Sequence, residues 1–172
     1  MQTLHPLLVH FPVAMLSLYA VVEIVSRIPL FKRFDLTLTK TVLITVGFIG
    51  GLIASSSGEA IEHNFQGVRN LVEMHSTFAT ATNILAGIIF VIYAKIVFGP
   101  LFIEKLKPGK LQTVSMKSLA FWNTIQKNWL FMILLAVAVA TTITITGVLG
   151  AVIVHGADVD PVVKMIYTTL VK

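Results

Sequence analysis

Five histidines and no cysteine are the residues of this chain best suited to coordination chemistry. His5 and His10 open the first apolar run, His63 and His75 stand between the second and third, and His155 closes the fourth. Neutral imidazole is a ligand for metals and for haem iron. A histidine inside a membrane span is costly without a partner, so each is a functional candidate. The lack of Cys removes disulfides, thiolate metal sites and covalent haem attachment through Cys-x-x-Cys-His.

Three of these histidines head columns of small side chains at helical spacing: His10 above Ala14, Ser17 and Val21; His75 above Ala79, Thr82 and Ala86; and His155 above Ala151, Gly147 or Val148, and Thr144. Small residues let helices pack closely. They also leave room for a flat macrocycle held between imidazoles, and recurrence on three helices points to that reading. Packing or helix capping is the plain alternative for each. His5, before Pro6 at the membrane entrance, reads as a ligand, a hydrogen-bond donor to one, or an interface residue. His63 reads as solvated.

A non-haem metal is a second chemistry. Glu59 and His63 are four residues apart and would share a helix face, with Glu62, Glu73 and His75 nearby. Di-metal carboxylate bundles draw a Glu-x-x-His pair from each of two helices, and Glu59-Ala60-Ile61-Glu62-His63 does not give that register. No nucleophile elbow, phosphate-binding glycine loop or His-Glu-x-x-His motif is present. Ser55-Ser56-Ser57-Gly58 reads as a helix terminus.

The elements that must position these residues are membrane spans. Hydrophobic residues make up 56% of the chain and charged ones 12%, and the mean hydropathy is +0.88; ordinary globular chains run at about 45–50% and about 25%. Four runs, near 6–26, 40–58, 76–99 and 129–156, are long enough to cross a bilayer, which takes about 20 apolar residues. The expected fold is all-α: a single transmembrane domain over 1–172, an up-down four-helix bundle with short amphipathic helices in the second connection and the C-terminal tail.

Cations set the expected orientation. Arg27, Lys32, Arg33 and Lys40 face only Asp35 in the first connection, and Lys105, Lys107, Lys110, Lys117 and Lys127 face only Glu104 in the third. The second holds Arg69 beside Glu59, Glu62 and Glu73. The positive-inside rule makes the basic connections cytoplasmic, with both termini and all five histidines on the periplasmic side of a bacterial inner membrane. The net charge of +5 therefore reads as topology and contact with anionic headgroups, not nucleic-acid binding. No cationic region precedes the first span, which reads as a retained anchor.

Local signals refine the picture. Pro12 is expected to bend the first span. Glu23 and Arg27 are placed to pair, and Gly47 and Gly51 to allow close helix contact. Ile61, Phe65, Val68 and Val72 form an apolar stripe in the connection from Glu59 to Glu73, opposite Glu59, His63, Gln66 and Asn70, with Gly67 able to break it. Asp160-Pro161 starts a tail helix with Val163, Ile166, Tyr167 and Leu170 on one face. Phe121, Trp122 and Trp129 mark the third connection as interfacial.

Three segments together resemble a bacterial membrane family called domain of unknown function 2231. They are His5-Pro6-Leu7-Leu8-Val9-His10-Phe11-Pro12; Gly58-Glu59 followed by Glu73-Met74-His75; and Thr146-Gly147-Val148-Leu149-Gly150, ending in His155-Gly156 and Val159-Asp160-Pro161. Ala60 stands where a second glutamate is expected, and Ala151 where a second glycine is. The resemblance implies a four-span inner-membrane domain with histidines at its outer face. It also implies association with electron-transfer modules of the Rieske or c-type cytochrome kind.

The expectation is a membrane-bound b-type haem protein carrying one haem b, or two. Its axial ligands would come from His10, His75 and His155, then His5, then His63. It would transfer electrons at the periplasmic face, with a redox partner protein or a quinone, as a carrier or subunit more than a stand-alone enzyme. Homodimerisation is left open. The alternatives are a non-catalytic anchor or assembly subunit of a redox complex and a non-haem metal protein.

Overall fold

The computed structural model describes residues 4–60, 67–158 and 160–170, and all regular structure in them is helical. The helices are α1 (Leu4–Val25), α2 (Thr37–Glu59), α3 (Arg69–Glu104), α4 (Lys110–Lys127), α5 (Trp129–His155) and α6 (Pro161–Leu170). Of these, α1, α2, α3 and α5 are long and apolar enough to cross a membrane. The chain is the all-α, multi-pass membrane bundle that its hydropathy implies.

The four spans close into a ring. α1 packs on α2 and α5, and α3 packs on the same two helices, so α1 and α3 stand on a diagonal. The core is a column of Leu16, Tyr19, Ile44, Ala86, Ile89, Val139 and Ile143, all buried. Facing the other way, Leu18, Val21, Ile49, Ile84 and Val137 are exposed. In water that belt would drive aggregation; in a bilayer it meets acyl chains. Lipid supplies little hydrophobic drive between helices, so small residues and polar bonds must join them. The glycine pair on α2 shows how. A Cβ on Gly47 would strike Leu16 of α1, and one on Gly51 would strike the Asn83 carboxamide of α3. One glycine face of α2 thus admits both neighbours, α1 and α3.

Three boundaries differ from the sequence expectation. The connection from Glu59 to Glu73 is not a separate amphipathic helix across its length: α2 runs to Glu59 and α3 already begins at Arg69, with nothing between Arg69 and His75 to break it. Ile61, Glu62, His63, Phe65 and Gln66 lie outside the described residues. α3 also continues through Pro100 to Glu104, because a proline forfeits one backbone bond and the extra turn gains packing against α4. With 36 residues, α3 is about 54 Å long and overruns a hydrocarbon core of about 30 Å. Finally, the third connection contains an 18-residue helix, α4, where only an interfacial segment was expected.

Helix ends are set by local chemistry. Asp35 accepts from the Thr37 N–H at 3.0 Å at the start of α2, a bond that holds the Asp35 carboxyl below its usual range. Asn128 accepts from Phe131 N–H at α5. Asp160 accepts from Val162 and Val163 N–H at α6, the start expected from Asp160-Pro161. α5 ends at Gly156, whose φ of 85° suits a residue without a Cβ.

Candidate functional site

One end of the bundle carries the histidines and the other the basic connections. At the histidine end, two imidazoles turn in toward neighbouring helices. His5 on α1 meets the Ser57 hydroxyl of α2 through Nδ1 at 2.8 Å, and its Cε1 lies 3.1 Å from where a Gly58 Cβ would stand. His75 on α3 meets the Thr146 carbonyl of α5 through Nδ1 at 2.9 Å. Its Cε1 lies 3.2 Å from where a Gly150 Cβ would stand. The two environments are alike: each imidazole rests on a glycine of the next helix and bonds to an oxygen of that helix.

The partners fix the tautomer. A carbonyl only accepts, so His75 donates through Nδ1–H. The Ser57 hydroxyl spends its proton on the Ala54 carbonyl at 2.7 Å, so His5 also donates through Nδ1–H. Both rings therefore keep an Nε2 lone pair. Donation from one ring nitrogen to a protein oxygen is how proteins orient and strengthen a ligating imidazole. His5 and His75 stand on diagonal helices at the same end of the bundle.

The other candidates are placed differently. His10 bonds through Nδ1 to the Pro6 carbonyl of its own helix and is exposed. Below it Ala14 and Val21 are exposed too, so that column faces the bundle's outer surface. His155, the last residue of α5, is exposed, as are Thr144 and Gly147 beneath it. Only the column under His75 runs inward, with Thr82 and Ala86 buried. The three columns expected to flank one space thus point in different directions. No local pattern sets the azimuth of α1 or α5, because both are apolar nearly all round.

Glu59 ends α2 exposed, and Glu73 is engaged by Arg69 at 3.0 Å. Glu62 and His63 lie outside the described residues. Among the described residues no three His, Asp or Glu side chains gather as a metal site. Two imidazoles, unlike three mixed donors, suffice for a six-coordinate haem iron. His5 and His75 each offer one Nε2 outside the bond that orients the ring, and each ring lies beside a glycine.

The opposite end holds the buried charge. Glu23 is 0% exposed and pairs with Arg27, as its spacing implied. It also accepts from Lys40 Nζ at 2.9 Å and from Tyr93 Oη at 2.6 Å. Lys40 donates further to Ser26 Oγ at 2.7 Å, and Tyr19 packs edge-on against Tyr93. Sequence reasoning had counted Lys40 with the topology-setting cations and passed over both tyrosines. The missed signal was a lysine in the first turn of a span, where a buried cation needs an anion on another helix. Between the two ends, Asn83 of α3 donates to Ser55 of α2 at 2.9 Å.

Compared with protein-family models, curated proteins and solved structures, the chain matches none. The resemblance to the domain of unknown function family rests on its three segments alone.

Proposed function

We propose that this chain is a membrane-bound b-type haem protein that passes electrons at its histidine end. The supporting observation is the matched pair of imidazoles: His5 and His75 each donate Nδ1–H to a neighbouring helix and keep Nε2 for a ligand. Among His10, His75, His155, His5 and His63, this makes His5 and His75 the leading axial pair, with His10 and His155 next. Bound between two imidazoles, a haem supplies one-electron chemistry without an open coordination position. The chain's own residues orient the rings through Ser57 and Thr146 and surround them with helix. The cation distribution supports placing the basic connections in the cytoplasm and the histidine end in the periplasm of a bacterial inner membrane. There the site would exchange electrons with a redox partner protein or a quinol.

One observation favours a second reading. The same two bonds tie α1 to α2 and α3 to α5, which is what a non-catalytic anchor subunit would need.

An absorption spectrum separates the two. Protein purified in detergent from haem-replete cells should show a sharp Soret band, with resolved α and β bands after dithionite. His5→Ala and His75→Ala should each abolish the low-spin signature. Ser57→Ala, which frees the His5 ring, should weaken haem binding by about tenfold or more. A colourless protein, or His5→Ala and His75→Ala variants with unchanged spectra, overturns the haem reading in favour of the anchor.

A further inference from the structure

We propose that α4, with the groove between it and the end of α3, binds an anionic phospholipid from the leaflet at the basic end. The inference stands apart from the haem reading and uses none of its residues.

Charge comes first. α4 carries Lys110, Lys117 and Lys127 and no acidic residue, and the turn before it adds Lys105 and Lys107 against Glu104. A solvated helix usually mixes both signs; one that carries a single sign beside a membrane attracts the opposite one. Helical spacing gathers Lys110 and Lys117 on the outward side.

Apolar surface comes second. α4 has no buried residue, and Leu111, Val114 and Phe121 are 63%, 63% and 58% exposed. At helical spacing Val114 and Phe121 share the outward stripe of Lys110 and Lys117, and Leu111 stands beside it. A helix beside the spans with an apolar flank and cationic neighbours lies in the interface, chains below and ammonium groups at headgroup level. On the bundle side Trp122 packs against the core and is stacked edge-on by Phe121. Aromatic pairs of this kind favour the membrane interface.

The groove gives the lipid a seat. Pro100 and Ile103 of α3 and Met116, Leu119 and Ala120 of α4 line an open space of about 420 Å³, with Glu104 and Asn123 as its polar members. An acyl chain suits the apolar lining; no lysine lines the groove, whose one charged member is Glu104, so the phosphate would be held by the lysines of the turn and of the outward face of α4. A zwitterionic headgroup brings its own ammonium and would gain less from five lysines. Inorganic phosphate would leave the apolar flank and groove unfilled.

The test uses the full-length chain with Trp129→Phe, so that Trp122 is the remaining tryptophan, reconstituted in phosphatidylcholine vesicles. Phosphatidylglycerol brominated on its acyl chains should quench Trp122 more strongly than brominated phosphatidylcholine at the same mole fraction. The expected enrichment is about fivefold for each lysine that engages the headgroup. Replacing Lys105, Lys107, Lys110, Lys117 and Lys127 by Gln should erase this preference, while quenching by brominated phosphatidylcholine stays unchanged and reports an intact fold. Ala120→Leu, which fills the groove and spares every lysine, should lower it. Equal quenching by the two lipids in the parent chain overturns the proposal, as does a preference that survives the five-lysine variant. A preference that survives Ala120→Leu overturns the seat in the groove.

Discussion

At the basic end, Glu23 accepts from Lys40 on α2, from Tyr93 on α3 and from Arg27 just past α1, and no carboxylate oxygen is left over. At the histidine end, His5 and His75 make one hydrogen bond each across a helix interface and retain a nitrogen lone pair. Both ends bring polar side chains into a lipid-embedded bundle, where an unpaired group is costly. The basic end neutralises its anion with ions and behaves as a clamp. The histidine end uses neutral rings and ends with unused coordinating capacity. On the proposed reading that capacity serves a ligand, for which a clamp would have no use.

The largest expected effect tests the clamp. Glu23→Ala leaves Lys40 and Arg27 without their anion and should cost about 3–5 kcal/mol in detergent-micelle unfolding. Glu23→Leu combined with Lys40→Met should recover most of that loss, since apolar replacements of a buried pair are well tolerated. Failure to recover would mean that the cluster does more than hold itself together, and the contrast between the ends would weaken.

Next is the histidine end, tested without added haem. His75→Ala and His5→Ala should each lower stability of the haem-free protein by about 1 kcal/mol, the net worth of one hydrogen bond. A loss as large as that of Glu23→Ala would make the histidines a second clamp.

Smaller still, Ser57→Ala should cost about 0.5 kcal/mol in the same assay, because the His5 ring can turn to another acceptor. His10→Ala and His155→Ala, on exposed positions, should stay within about 0.5 kcal/mol of the parent. If either proved as damaging as His75→Ala, the division of the histidines into inward and outward sets would need redrawing.

The parts legible in the sequence were those with local causes. Four apolar runs give four spans, the i,i+4 spacing gives Glu23–Arg27, and Asp160-Pro161 gives the start of α6. What stayed hidden was azimuth. A soluble helix announces its inner face by its apolar stripe, but α1 and α5 are apolar on both sides, so nothing local says whether His5 or His10 turns inward. The partners that decide it, Ser57 for His5 and Thr146 for His75, lie 52 and 71 residues away. Lys40 and Tyr93 joined Glu23 for the same nonlocal reason. α4 is hidden in the sequence because its low hydropathy and scattered lysines and aromatics resemble an irregular interfacial connection.

The middle of the bundle carries a consequence for energy conservation. Between Glu23 and the histidines lies a layer of Leu16, Ile44, Ala86, Ile89, Val139 and Ile143, all buried. The nearby hydroxyls of Thr41, Thr45, Thr82 and Thr142 are each donated back to a carbonyl of their own helix. A hopping proton needs a continuous file of donors and acceptors, and this layer interrupts it. On the proposed placement in an energised inner membrane, the bundle would keep ionisable groups near both surfaces without a continuous file of threonine hydroxyls between them.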